Sequence, residues 1–253
     1  MTFAPITAIP LFFAMIVCLE IGRQLRARAR GPAPEGSGFS AIEGAVFGLF
    51  GLLLAFTFSG AIARYDTHRN LIIEETNTIG TAWLRLDLLP PSTQPPLRQL
   101  FRDYTGIRAH RFDELPDTTE SLHSAADTDR LQSEIWHQSL AAAASANASP
   151  DATKLLLPAL NAMIDITATR RNAYDMHPPF IIFALLFALS CTCALLAGYG
   201  ITGLSRGRMH TLSFAFAFAI TIYATLEIEY PRRGLIRLTT TNQSFVTLRE
   251  SMK

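Results

Sequence analysis

The sequence predicts an all-α, polytopic membrane protein with four transmembrane helices and a helical extramembrane domain inserted between the second and third. Three observations carry this prediction. Only 17% of the 253 residues are charged, against about 25% in an ordinary soluble domain. The shortfall is concentrated in long apolar runs, each near the roughly 20 residues that a helix needs to cross a bilayer. The polar stretch between the second and third runs shows helical periodicity and no strand pattern of any strength.

The first span is expected at about 4–22, with one acid, Glu20, near its end. Its positive charges come after it, in Arg23, Arg26, Arg28 and Arg30. That order suits a retained anchor better than a cleaved signal peptide. The second span, 44–63, and the third, 179–204, carry no charge. The fourth, 211–230, has acids only at its far end, Glu227 and Glu229. In a soluble protein such runs would have to be buried on every side.

Residues 64–177 form the expected domain, and 231–253 a C-terminal tail. Arg64 to Asp87 contains no proline, so the second span is expected to run out of the membrane as one long helix, ended by Leu89-Pro90-Pro91. Beyond Pro95-Pro96, Leu97, Leu100, Phe101, Tyr104 and Ile107 mark one face of an amphipathic helix. Asp117, with Glu120 three residues on, reads as the cap of the next helix, which carries Leu122, Ala126, Ile135, Trp136 and Leu140. Ser149-Pro150-Asp151 starts a last helix, with Leu155, Leu156, Ala159, Leu160, Met163 and Ile164 on its apolar side. Pro158 is expected to kink it or delay its start. His177-Pro178-Pro179 ends it.

Charge and motifs exclude several functions. A net charge of +1 leaves no surplus of cations for a nucleic-acid partner. Cys191 and Cys193 fall about 200° apart on a helix and cannot clasp one ion together. Cys18 lies in another apolar run, so all three cysteines read as small apolar fillers. The six histidines show no ligand spacing. Nucleophile elbow, phosphate loop, zinc-protease helix and dinucleotide fingerprint are all missing, so neither an enzyme nor a metal or cofactor is expected. The expected surroundings are a lipid bilayer.

Orientation follows arginine and lysine in short loops. The loop after the first span carries four arginines, and the loop after the third carries Arg206 and Arg208. Weighting these short loops over the long domain places the domain and both termini outside the cytoplasm.

Within the second span, Gly44, Gly48, Gly51, Ala55 and Ser59 form one stripe of small side chains about 80° wide, closed by Ile62, with Phe56 beside it. Gly44-x-x-x-Gly48 is the form that lets helix backbones approach closely. Two uses stand open: packing against a span of the same subunit, the plainer one, or packing of symmetry copies around an axis, with or without a pore. Connectivity then brings the end of span two, the start of span three and the end of span four to one membrane face. Arg64, Tyr65, Asp66 and Arg69 are therefore expected near the level of Asp175, His177, Glu227, Glu229, Arg232 and Arg233. Pairing of Glu227 or Glu229 with Arg64 or Arg69 is one reading, and separate anchoring at the headgroups is the other. In the domain, Glu74, Glu75, Asn77, Arg85, Asn161 and Asp165 are expected as a polar core, either hydrogen-bonded structural groups or an ion or small-solute site.

These residues also carry a family resemblance. Leu53-Leu54-Ala55-Phe56, Arg64-Tyr65-Asp66 with Arg69, Glu74-Glu75 with Asn77, and Ile79-Gly80-Thr81-Ala82-Trp83-Leu84-Arg85 resemble a bacterial family of bestrophin-like membrane proteins. So do Asn161 and Asp165 ahead of Pro178-Pro179, and Glu227-Ile228-Glu229-Tyr230-Pro231-Arg232 with Gly234. Where that family usually shows aspartates before the proline, this chain has glutamates. The resemblance implies a bacterial inner (plasma) membrane protein. A more distant likeness, from Phe56 through Tyr65, Asp66 and Arg69, is to the bestrophins proper. Those are pentameric, anion-selective channels whose second span leads into a pore-lining neck and whose domain lies in the cytoplasm, opposite to the side the short loops favour. The paired tryptophans and acidic calcium clasp of the animal channels are missing here. The resemblance implies a homo-oligomer, and an ion channel or pore with span two near the symmetry axis, conducting small inorganic ions. The alternative is a non-conducting scaffold or sensor whose domain binds a ligand or partner protein.

Overall fold

The computed structural model describes residues 3–29, 37–110, 118–200, 207–231 and 239–253. Those residues form helices and no strand. In chain order the helices are α1 (Phe3–Arg28), α2 (Ser37–Arg85), a single 3-10 turn (Leu86–Leu88), α3 (Gln94–His110), α4 (Thr119–Ala143), α5 (Ala152–Asp175), α6 (Phe180–Gly200), α7 (Gly207–Glu229) and α8 (Thr239–Ser251). Among the described residues, four stretches are long and apolar enough to cross a membrane: Pro5–Arg28, Ala41–Leu88, Ala152–Gly200 and Thr211–Glu229. The third includes α6, which has no charged residue.

The chain divides into two compact units, Met1–Tyr65 with His177–Ile236, and Asp66–Met176 with Arg237–Lys253. Helix α2 contributes to both. Helix α8, within the segment expected as a C-terminal tail, packs on α3 of the second unit.

In the first unit, α1 packs on α6 and α7. Leu11, Met15 and Leu19 follow one face of α1 at four-residue spacing. They join Phe50, Leu186, Cys193, Ala194, Ala215, Ile222 and Leu226 in one core. The outer face of α1 is just as apolar: Ile6, Ile9, Phe13 and Val17 are exposed. A helix apolar on both faces belongs in hydrocarbon. Hydroxyls in these runs are satisfied by their own helix, as lipid demands. Thr57 donates to the Leu53 carbonyl at 2.7 Å and Ser190 to that of Leu186 at 2.7 Å.

Helices α1 and α6 approach each other closely. A Cβ on Gly22 would lie 2.2 Å from the Leu195 carbonyl oxygen, and one on Gly198 would lie 2.1 Å from that of Leu19. Only glycine allows two backbones to meet at that distance.

The second unit is a helical bundle. α4 packs on both α3 and α5, and α8 packs on α3. Helix α2 ends one turn before the proline pair, passing into the 3-10 turn. There the Gln94 amide donates to the Leu89 carbonyl at 2.8 Å, and Ser149 N donates to the Leu88 carbonyl at 2.9 Å. Asp117 lies outside the described residues; the Thr118 hydroxyl caps α4 by accepting from Ser121 N at 3.2 Å. Pro158 does not delay α5, which starts at Ala152 and runs through it. The expected face of α4 needs correction. Leu122, Ala126 and Leu140 are exposed, and the buried line is Ser124, Thr128, Leu131, Gln132, Ile135 and Ser139. That line keeps the helical period, but four of its six residues are polar, so apolar residues alone do not mark it.

Candidate functional site

The stripe on α2 is the first candidate. Gly44, Gly48, Gly51, Ala55 and Ser59 are all exposed, and Phe56 is 68% exposed. A Cβ added at Gly44, Gly48 or Gly51 would meet nothing within 4 Å among the described residues. Among the described residues, no span of the same subunit packs against these glycines. The opposite side of α2 makes the internal contacts. Phe50 stacks on Phe218 with ring centroids 4.5 Å apart, and Phe47 meets Phe214 edge-on at 6.0 Å.

The second candidate lies in the same unit, at Glu229. Its carboxylate is buried, with 1% of the side chain exposed. Arg64 grips it from α2: Nε donates to the two oxygens at 2.9 and 3.0 Å, and Nη2 donates to Oε2 at 2.7 Å. Gly60, one turn earlier, leaves room for that guanidinium; a Cβ there would sit 3.3 Å from Arg64 Nη1. His177 Nδ1 lies 3.3 Å from the same carboxylate, and its ring packs on Tyr230 at 4.6 Å. One carboxylate thus joins the end of α7, α2 and the linker that enters α6. Bidentate contact with a buried carboxylate is the geometry that strengthens ion pairs. Glu227 is buried as well, one turn after Tyr223. Asp66 and Arg69 are exposed and pair with each other at 3.4 Å. Tyr65 is half-buried. Arg232 and Arg233 lie outside the described residues.

A charge swap tests this junction. Arg64→Glu is expected to leave Glu229 buried beside a like charge and to reduce the yield of monodisperse protein in detergent severalfold. Adding Glu229→Arg is expected to recover most of it. Size-exclusion profiles read the outcome, and absence of any rescue would sink the pairing.

The third candidate is in the second unit. Of the residues expected as its polar core, Glu75 alone is fully buried. Glu74, Asn77, Asn161 and Asp165 are exposed, and Arg85 is half-buried, donating to the Leu155 carbonyl. The partners of Glu75 are Arg108 of α3 and Arg170 of α5. Arg108 Nε and Nη2 donate to the two carboxylate oxygens, the second at 3.1 Å, and Arg170 Nη1 donates to Oε2. Burial alone would raise the Glu75 pKa, but the two guanidinium groups outweigh it and hold the carboxyl below its ordinary value. Burial opposes charge on Arg108 too, and Glu75 overcomes it. Beside them, the Gln132 amide donates to the Tyr104 hydroxyl at 3.0 Å and to that of Thr167 at 3.1 Å, while those two hydroxyls lie 3.1 Å apart. Burial pushes the Tyr104 phenol above its usual range, so it stays neutral. Among the described residues no group of histidine, cysteine or acid side chains is arranged to hold a metal.

Sequence reasoning missed Arg108 and Arg170, although a signal was present. Leu97, Phe101, Tyr104 and Arg108 share one face of α3; Leu156, Met163, Thr167 and Arg170 share one face of α5. A charge in register with an apolar face announces a buried partner.

No curated protein matches the chain. Solved structures of a bacterial bestrophin homologue from Klebsiella pneumoniae, each a single-substitution variant, share its fold. One superposes with a TM-score of 0.75 at 13% identity, covering 100% of this chain and 97% of the homologue. Another gives 0.70 at 15% identity, covering 97% of each. The Bestrophin-like domain matches residues 12–243. With that match spanning nearly its whole length, the chain belongs to the Bestrophin-like family of membrane proteins.

Proposed function

We propose that the chain assembles as a homo-oligomer with α2 toward the symmetry axis, and that the assembly conducts small inorganic ions across the bacterial inner membrane. The observation that carries this is the exposed small-residue stripe of α2, Gly44 to Ser59. Glycines offer acyl chains little surface, whereas a small-residue face serves close approach of another helix. Copies of the same helix supply that neighbour, with Phe56 and Ser59 turned toward the axis. The bestrophin-like family and fold support the reading.

The protein in detergent is expected to run as an oligomer that Ser59→Cys cross-links under oxidation. In planar bilayers it is expected to pass current that changes with Phe56→Ala. A monomer would end the proposal, and an oligomer without ion flux would favour the non-conducting scaffold or sensor. The short-loop arginines favour the domain outside the cytoplasm. Leu122→Cys, on an exposed position of α4, is then expected to react with an impermeant maleimide in intact spheroplasts. Protection there would give the domain the cytoplasmic side of the bestrophins proper.

A further inference from the structure

In the second unit, α4 and α8 both pack on α3. Residues of all three helices line a cleft of about 690 Å³, a size within the roughly 300–1,000 Å³ of small-molecule sites. Helix α8 contributes Arg249. Its guanidinium lies over Gly106 of α3, where a Cβ would sit 3.5 Å from both its Cζ and its Nε. That guanidinium makes no ion pair or hydrogen bond among the described residues, although the same cleft holds Asp103, Glu120 and Asp127. The three carboxylates are unequally spent. Asp103 accepts from the Gln99 amide at 2.9 Å, and Asp127 pairs with Arg130 at 3.5 Å. Glu120, in the first turn of α4, has no partner among the described residues. One turn further along α4, Ser124 lines the cleft too. It is 9% exposed, and its hydroxyl is buried with no partner among the described residues. A buried hydroxyl in that condition is uncommon and marks a place where a bound molecule completes the bonding.

The lining narrows the ligand's chemistry. A simple anion would meet three carboxylates, and a simple cation would meet Arg249. A metal ion fits poorly. His110 and His123 also line the cleft, yet no three of these side chains are arranged to hold one. A molecule carrying both charges satisfies both walls. Its carboxylate accepts two hydrogen bonds from a guanidinium, and its ammonium donates to a carboxylate. We infer that this cleft binds a small zwitterion of the α-amino-acid class, with its carboxylate on Arg249, its ammonium on Glu120 and the Ser124 hydroxyl beside them. The site belongs to the domain unit and needs neither conduction nor assembly.

The test uses the full chain in detergent. Thermal unfolding is read as each of the common amino acids is titrated at constant pH and ionic strength. At least one is expected to raise Tm to a plateau, because a ligand of the folded state stabilises it by mass action. The methyl ester of that amino acid lacks the carboxylate, and its N-acetyl derivative lacks the ammonium. Each is expected to need at least about tenfold more ligand for the same rise, the loss of one charged hydrogen-bonded contact. These derivatives probe the site without altering the protein. Arg249→Gln and Glu120→Gln are expected to weaken the response alike while leaving the unliganded Tm unchanged, since both side chains are exposed. Lys154→Gln, at an exposed lysine of α5, is expected to keep the wild-type curve. No rise with any amino acid would overturn the inference. So would an ester as effective as its parent, which would make the ligand a simple cation, or an equally effective N-acetyl form, which would make it a simple anion. A full response in either cleft variant would place the ligand elsewhere and overturn it too.

Discussion

Gly198→Leu is expected to abolish the fold of the membrane unit. A Cβ at this position would sit 2.1 Å from the Leu19 carbonyl oxygen and 2.8 Å from its carbonyl carbon. Those are backbone atoms of α1, so no side chain can rotate away to make room. Relief requires the two helices to separate along the contact that holds α1 to α6. Overpacking a core with side-chain neighbours costs about 1–3 kcal/mol, and a clash against backbone is expected at or above the top of that range. Gly22→Val should behave alike, since its Cβ meets the Leu195 carbonyl oxygen at 2.2 Å and Tyr199 N at 2.8 Å. Fluorescence-detected size exclusion should show aggregate in place of the wild-type peak. Gly48→Ala is the contrast, because its Cβ meets nothing within 4 Å among the described residues. It should leave the subunit folded. If Gly198→Leu gave protein as monodisperse and heat-stable as wild type, the close α1–α6 approach would be wrong.

The same contrast shows what the sequence carries and where it falls silent. Span positions follow from length and charge alone, because a bilayer imposes both. The run of α2 out of the membrane follows from the distance to the first proline pair. Partner choice is harder. Two spans carry small residues at helical spacing: Gly44, Gly48, Gly51, Ala55 and Ser59 on α2, and Ser190, Ala194 and Gly198 on α6. Only the second set is buried inside the subunit. The pattern announces a close helix contact in both cases and names the partner in neither.

The polar residues divide the same way. Connectivity brings the ends of the second and fourth spans to one membrane face, and Arg64 does meet Glu229. In the domain, type alone misled. Glu74 and Asn77 on α2, and Asn161 and Asp165 on α5, are as polar as Glu75 but are exposed. Register separates them. Glu75 lies in line with buried Ile72, Ile79 and Ala82, whereas Glu74 and Asn77 point away from that line. A 100° step per residue is enough to carry adjacent glutamates to different environments.

That environment sets the second large effect. Glu75→Ala is expected to destabilise the domain by about 3–5 kcal/mol, since it strands two buried guanidinium groups without their carboxylate. The cost lies in the charges left behind more than in the bonds lost. Replacing all three members together, Glu75→Leu with Arg108→Leu and Arg170→Met, should therefore recover much of what the single change loses. Thermal unfolding of the three proteins at fixed pH and salt separates the cases. A triple variant less stable than Glu75→Ala would refute the account. The pH dependence follows with a definite sign. The folded-state pKa of Glu75 is depressed because Arg108 and Arg170 outweigh burial. Its contribution is thus fully present above the unfolded carboxylate value of about 4.3. It is lost as pH falls through the lower folded value, because the unfolded chain takes up the proton first. Wild-type stability should fall in acid more steeply than that of the triple variant, which has no carboxylate there to protonate.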